Sequence, residues 1–246
     1  MILTLCFLFG CAPGLQLGCA SAKESATAKE SAPAATPSVQ AKADPAAVFG
    51  RPTPAPAPGQ AVAVFAGGCF WCMEKPFDAL EGVIATTSGY TAGPQMAPTY
   101  EEVSGHATGH AEALRVLYDP STISYARLLD VFWHNIDPTQ ANGQFCDRGA
   151  QYRSGIYTSD PTERALAERS RATVAERLGA PIQTEIEALG AFWPAEDYHQ
   201  DFYQKSPERY TSYRTGCGRD RRLQSLWGEA ALVGAGAAWI EAAKAP

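Results

Sequence analysis

The chain has 246 residues, of which 46% are hydrophobic and 19% charged, and its formal net charge is −6. Its length fits one or two domains, and the scarcity of aromatic residues between positions 20 and 60 indicates a single domain after that stretch. The acidity argues against a nucleic-acid-binding protein, because contacts to phosphate need a basic surface. We expect a monomer with no membrane-spanning helix.

The N-terminal region is typical of an exported protein. Residues 1–19 are apolar, then small, then polar, which is the order of a secretory signal, although no Lys or Arg lies near Met1. Cys11 and Cys19 each follow a glycine and resemble the lipidated cysteine of bacterial lipoproteins. We expect a periplasmic protein with a lipid anchor, and the alternatives are plain export or a misread start. Residues 20–60, rich in Ala, Pro and Ser, predict a disordered linker because they cannot bury enough apolar surface to fold.

From residue 61 the pattern predicts an irregular succession of strands and helices. The strand at 61–66 is followed by two glycines and a helix from Phe70, and the segments 95–109 and 135–152 are loop-like. Such an order predicts an α+β fold, a two-layer sandwich with helices packed on a mixed, mainly antiparallel sheet. Further strands are predicted at 83–89, 111–118, 154–158 and 184–189, and further helices at 124–134, 160–178, 196–204 and 221–228.

Glu112 occupies an unusual position in the strand predicted at 111–118. Period-two alternation places it on the same face as Leu114, Val116 and Tyr118. Desolvation on an apolar face would raise the pKa of this carboxyl group and keep it neutral near pH 7. The alternative is an edge glutamate that points into solvent.

Cys69 follows the first strand and the Gly67-Gly68 pair, and it precedes the helix. Backbone N–H groups and the positive end of the helix dipole favour a thiolate there, so we expect an accessible, reactive sulfur. The alternative is a structural cysteine, since an even number of cysteines in an exported domain is typical of disulfides. The four cysteines after the leader are Cys69, Cys72, Cys146 and Cys217.

Five segments between residues 61 and 205 read GCFWCMEKPFDALEGV, SGYTAG, PTYEEVS, TGHAEALRVLYDP and FWHNIDPTQANGQFCDRGAQYRSGIY. In this order they closely resemble the motifs of the peptide methionine sulfoxide reductase A family. The resemblance implies the family's ferredoxin-like fold, a catalytic domain at 61–218 and a tail at 219–246 to which we assign no activity. It also implies reduction of the S epimer of methionine sulfoxide, free or in proteins, with a thioredoxin-type reductant and no metal or organic cofactor.

The same resemblance implies roles for individual residues. Expulsion of the sulfoxide oxygen needs an acid, and tyrosine hydroxyl groups can donate hydrogen bonds to that oxygen. The implied roles are nucleophile (Cys69), acid (Glu112), methyl-group contacts (Phe70 and Trp71) and sulfoxide pocket (Tyr100, Asp147 and Tyr152).

The reaction would leave Cys69 as a sulfenic acid, which condenses with a second thiol to a disulfide. Cys217, between two glycines, is the expected resolving cysteine, because a mobile segment could carry it inward as in many family members. Cys72, one helical turn after Cys69, is the less favoured candidate, and Cys146 the least favoured.

Two other classes of function fit part of the pattern. Cys69-x-x-Cys72 is also typical of a thioredoxin-like disulfide oxidoreductase, which explains nothing outside those residues. A zinc site formed with His106 and His110 would need a much longer gap between the pairs than zinc fingers have.

Overall fold

The computed structural model describes residues 53–231. The predicted signal with Cys11 and Cys19, most of the predicted linker and the alanine-rich C-terminal segment lie outside this range. No helix within the described range is both long and apolar enough to cross a bilayer.

A six-stranded sheet in the order β7-β6-β1-β3-β2-β8 forms the framework of the described domain. Only β6 and β7 pair in parallel, so the expected α+β fold with a mainly antiparallel sheet is confirmed. The strands are β1 (Ala61–Gly67), β2 (Val83–Thr91), β3 (Ala111–Tyr118), β4 (Gly143–Gln144), β5 (Asp147–Arg148), β6 (Ser154–Thr158), β7 (Glu185–Ala188) and β8 (Trp193–Pro194), with β4 and β5 forming a separate hairpin.

Three of the helices begin after a residue whose side chain caps free backbone N–H groups, namely Thr99, Ser124 and Asp160. Asp160 accepts hydrogen bonds from the backbone of Thr162 and Glu163 at the start of α4, and Gly179, with φ at 60°, ends that helix. The helices are α1 (Trp71–Asp78), α2 (Tyr100–Ser104), α3 (Tyr125–His134), α4 (Pro161–Leu178), α5 (Phe202–Lys205), α6 (Pro207–Gly216) and α7 (Arg219–Trp227).

Three segments differ from the sequence prediction. Helix α2 lies inside the predicted loop 95–109, where Thr99 and Glu102 form a capping box that could have revealed it. The predicted loop 135–152 contains the β4–β5 hairpin and a short 3₁₀ turn at Ala150–Tyr152. The helix expected at 196–204 is reduced to α5, and α6 follows it unpredicted.

The main hydrophobic core lies between the sheet and helices α1, α3, α4 and α7. Phe65 of β1 stacks on Phe132 of α3 with ring centroids 5.1 Å apart, and Leu114 of β3 is fully buried beside them. Leu223 and Trp227 of α7 belong to the same core. Helix α7 therefore contributes to the interior, although it lies beyond the predicted domain limit at 218.

Candidate active site

The sheet register brings Cys69 and Glu112 to the same place. Strands β1 and β3 are antiparallel with Phe65 opposite Leu114, so the chain leaving β1 passes Glu112. The backbone N–H of Phe70 donates a hydrogen bond to Glu112 Oε2 at 3.1 Å. The candidate nucleophile and the candidate acid therefore belong to one cluster.

The turn that presents Cys69 requires glycine. Gly68 has φ at 80°, in the left-handed region that residues with a side chain rarely adopt. A Cβ atom added to Gly68 would lie 2.5 Å from Cβ of Gln144, a residue of the β4–β5 hairpin. The hairpin thus packs against the backbone directly before Cys69.

Glu112 is buried in the site and 2% exposed. Burial raises the pKa of its carboxyl group to about 8, with the hydrogen bond from Phe70 opposing the shift and the charge of Asp147 adding to it. At pH 7 the carboxyl group therefore carries a proton that it can donate.

Cys69 is 7% exposed, so the prediction of an accessible thiolate is wrong for this structure. Burial raises the pKa of its thiol, and the hydrogen bond to Cys72 and the charge of Glu112 raise it further. The sequence pattern could not reveal this burial, because Tyr213, whose side chain hydrogen-bonds with the thiol, comes from the unpredicted helix α6.

Cys72 is also buried, but its electrostatic surroundings are opposite to those of Cys69. Its hydrogen bond with Cys69 lowers the pKa of the Cys72 thiol to about 6, and the positive charges of Arg219 and Arg214 lower it further, against the effect of burial. The hydrogen bond between the two thiols thus favours the thiolate form at Cys72 and disfavours it at Cys69.

Arg219 is a buried cation that sequence reasoning missed. It is 1% exposed, donates to the carbonyl oxygens of Gly67 at 2.9 Å and Asn135 at 2.8 Å, and lies over the ring of Phe145. Within the described range it forms no ion pair with a carboxylate. Its charge is therefore left to act on the nearby thiols.

An aromatic wall stands beside the dithiol. Trp71 stacks on Phe202 with centroids 3.6 Å apart, and its Nε1 donates to Nδ1 of His199 at 3.0 Å. The ring of His199 also lies 4.9 Å from that of Phe70 and 4.4 Å from that of Tyr100. Burial lowers the pKa of His199 to about 4, so the ring is neutral and can accept the hydrogen bond from Trp71. His199 is a second site residue that the sequence analysis missed.

The two candidate tyrosines and Asp147 lie in the same electrostatic cluster. Burial raises the pKa of Tyr100 and Tyr152, and the charges of Glu112 and Cys69 add to both shifts. Burial also raises the pKa of Asp147, whose Oδ2 accepts a hydrogen bond from the hydroxyl of Tyr213 at 2.6 Å. All seven residues to which the resemblance assigned roles in sulfoxide reduction are thus brought together by β1, α1, α2, β3 and the segment 147–152.

The four cysteines between residues 53 and 231 form one disulfide, not two. Cys146 and Cys217 are bonded with their Cα atoms 5.0 Å apart, whereas Cys69 and Cys72 are free. We call Cys69 and Cys72 the inner pair, and the exposed Cys146 with the half-buried Cys217 the outer pair. Tyr213, one helical turn before Cys217, contacts Cys69 and therefore connects the two pairs.

The residues of the alternative zinc site do not assemble. The ring of His106 is hydrogen-bonded to Gln151, and the ring of His110 packs against Gly93. Across residues 53–231, the one group of three metal-ligating side chains with ligand atoms within 4.8 Å is Cys146, Asp147 and Cys217.

A buried dithiol, a protonated carboxyl group, an aromatic wall and a surface disulfide on an α+β fold define a thiol-dependent oxidoreductase. The sequence model of the family described as peptide methionine sulfoxide reductase matches residues 61–231, a range that includes α7. Peptide methionine sulfoxide reductase MsrA of Bacillus licheniformis is 50% identical over 169 residues, which cover 68% of this chain and 93% of that protein. MsrA 2 of Rhizobium meliloti is 46% identical over 181 residues, 74% of this chain and 90% of that protein.

Solved structures agree with this result. Methionine sulfoxide reductase A of Corynebacterium diphtheriae superimposes with a TM-score of 0.60 at 34% identity, over 61% of this chain and 77% of that one. Mxr1 of Saccharomyces cerevisiae in reduced form gives a TM-score of 0.59 at 31% identity, over 63% of this chain and 90% of that one. The chain belongs to the peptide methionine sulfoxide reductase family, and the expectation drawn from its motifs is confirmed.

Proposed function

We propose that this protein reduces the S epimer of methionine sulfoxide, free and in oxidised proteins, by attack of the Cys69 sulfur on the sulfoxide sulfur. The observation that carries the proposal is the placement of Cys69 beside Glu112, a carboxyl group kept protonated by burial. Oxygen passes from the substrate to the cysteine, so that the sulfoxide and the thiol become methionine and a sulfenic acid.

Glu112 supplies the proton that the departing oxygen needs, because that oxygen is a poor leaving group as an anion. The hydroxyl groups of Tyr100 and Tyr152 donate hydrogen bonds to the same oxygen. Asp147 accepts a hydrogen bond from the hydroxyl of Tyr213 and thereby orients the polar side of the site. Phe70 and Trp71 contact the methyl group on the apolar side of the site.

Cys69 must lose its proton as it attacks. The thiol is hydrogen-bonded to Cys72, and this bond together with the positive charge of Arg219 lowers the pKa of the Cys72 thiol. Cys72 is therefore the group that accepts this proton. The low exposure of both sulfur atoms keeps water away from the reacting centre.

Resolution of the sulfenic acid proceeds from the inner pair to the outer pair. Cys72 attacks the Cys69 sulfenic acid, water leaves and a Cys69–Cys72 disulfide forms. The thiolate of Cys217 then attacks Cys72 and releases Cys69, and Cys146 attacks Cys217 and releases Cys72. The result is a free inner pair with an outer disulfide, the arrangement of this structure. Cys217, the resolving cysteine expected from sequence, thus acts second, after Cys72.

Cysteine variants test this sequence of steps. Cys69→Ser should produce no methionine, whereas Cys217→Ser should still reduce one sulfoxide per chain and turn over with dithiothreitol. Cys217→Ser should lose turnover with thioredoxin, because the inner pair is too buried for a protein reductant. Undiminished thioredoxin-coupled turnover by Cys217→Ser would contradict the proposed role of that residue.

We also propose that a thioredoxin-type protein recycles the enzyme in the bacterial periplasm. Thiols supply both electrons in every proposed step, so the reaction uses no metal or organic cofactor. The mass of the mature N-terminus, measured on protein from cells, tests export and lipidation at Cys11 or Cys19.

A further inference from the structure

The outer disulfide is the part of the redox chain that a protein can reach. Cys146 is exposed, whereas Cys69 is 7% and Cys72 1% exposed. We propose that an arginine-lined groove beside this disulfide docks the protein reductant, which presents acidic side chains around its reactive cysteine and attacks the sulfur of Cys146. This inference rests on the proposed function.

The groove has a volume of about 630 Å³ and lies between the β4–β5 hairpin and the start of α7. Arg148 and Arg221 are exposed and form no ion pair with another residue of the range 53–231, whereas Arg222 is paired with Asp137 at 2.7 Å. The wall of the groove also includes Phe145, Cys217 and Gly218.

Charge complementarity identifies the occupant. Three arginines and one aspartate give the groove a net charge of about +2, while the whole chain carries −6. A basic groove on an acidic protein attracts an acidic surface and repels a basic one. Cys217 of the disulfide lines this groove. A protein that reduces the disulfide must therefore dock at the groove, and the charge of the groove favours a dithiol protein with an acidic surface.

The contacts around the disulfide distinguish its two sulfur atoms. The backbone N–H of Cys146 donates to Sγ of Cys217 at 3.1 Å, and this donor stabilises negative charge on Cys217 as the S–S bond breaks. Asp147 Oδ1 lies 3.7 Å from Sγ of Cys146 and disfavours negative charge there. Cys217 is therefore the better leaving group, and the exposed Cys146 is the sulfur that is attacked.

The exchange balances without another reactant. A thiolate of the reductant bonds to Cys146 Sγ, the Cys146–Cys217 bond breaks, and its electron pair remains on Cys217, which takes up a proton. The second thiol of the reductant then attacks the reductant's own sulfur in the mixed disulfide, and Cys146 is released. Two electrons and two protons pass to the enzyme, and the reductant leaves as a disulfide.

Charge reversal in the groove tests the docking surface. Arg221→Glu should raise the KM for thioredoxin about 10-fold and weaken its dependence on salt, while turnover with dithiothreitol stays unchanged. Arg169→Glu makes the same charge change at an exposed position of α4 and should leave both activities unchanged. An unchanged KM for thioredoxin in Arg221→Glu would overturn the docking proposal, as would a rise confined to the KM for an oxidised protein substrate. Failure of the wild-type enzyme with dithiothreitol would instead refute the proposed function.

Trapping of the mixed disulfide tests the direction of attack. Oxidised enzyme is mixed with a thioredoxin variant that keeps only its attacking cysteine, the reaction is quenched with acid, and the linked peptides are identified by mass spectrometry. We expect thioredoxin on Cys146, and linkage mainly to Cys217 would overturn the assignment.

Discussion

Burial gives Glu112 a proton at pH 7 that an exposed glutamate would have lost. Since the pKa of Glu112 is about 8, the fraction that can donate a proton falls as the pH rises through that value. The burial of Glu112 therefore also sets an upper pH limit on the chemical step.

Glu112→Gln should lower the rate of single-turnover methionine formation by on the order of 100-fold or more, because an amide cannot donate the proton. Wild-type enzyme should lose rate as the pH rises through about 8, and this loss should be absent in the variant. Rapid-quench measurements between about pH 6 and pH 9 check both points. Glu101→Gln, at an exposed position, is the control, and an unaltered decline in Glu112→Gln would contradict the role of Glu112.

His199 fixes the orientation of Trp71 through one hydrogen bond. His199→Phe keeps a ring but removes the acceptor, and a lost buried hydrogen bond of about 1–3 kcal/mol should appear mainly as a roughly 10-fold higher KM for the sulfoxide. His199→Gln retains an acceptor and should restore part of the affinity. Equal KM values for the wild type and both variants, from steady-state kinetics with dithiothreitol, would show that Trp71 needs no such support.

At the scale of secondary structure, the turn between β1 and α1 controls the position of the nucleophile. Gly68→Ala combines the strain of a positive φ with a clash against Gln144, so it should destabilise the fold by more than about 1 kcal/mol and reduce single-turnover activity. Gly179→Ala is a matched control, since Gly179 has φ at 60° and its added Cβ would meet no atom within 4 Å. The free energy of unfolding of both variants, measured with urea, separates the strain from the clash. Equal losses of stability in the two variants would mean that the β4–β5 hairpin moves to accommodate the added Cβ atom.

The elements that the sequence predicted best have a clear apolar run or a clear boundary. Strand β3 is mostly apolar and buried at every position, and α4 has Asp160 before it and Gly179 after it. Helix α6 was missed because its polar sequence shows no apolar stripe, and its buried residues are Tyr210 and Arg214. Its position over the site depends on tertiary contacts.

The candidate site was predicted in part for the same reason. Glu112 was singled out because it is a carboxylate on a predicted apolar strand face, and Cys69 because it lies between a Gly-Gly turn and a helix. The roles of the remaining residues came from the family's motifs. Cys146 and Cys217 lie 71 residues apart, and spacing alone cannot specify such a pairing. His199 and Arg219 have neighbours that only the folded chain brings to them.

At the scale of the whole molecule, the folded domain needs α7 and should not need the residues outside the described range. A chain of residues 53–231 should retain the stability and activity of the full chain. A chain that ends at 218 loses Arg219, Leu223 and Trp227 from the interior and should fail to unfold cooperatively. Thermal unfolding followed by circular dichroism checks both chains, and a cooperative transition in the shorter one would show that α7 is dispensable.

The separation of the two cysteine pairs gives the enzyme an electron reserve. A fully reduced chain holds four thiols in two pairs, and the outer pair can store the first oxidation while the inner pair becomes free to react again. A sample stripped of external reductant should therefore release two methionines per chain before it stops, and the Cys217→Ser variant one. During a sudden oxidative burst, each molecule could repair a second lesion before meeting its electron donor.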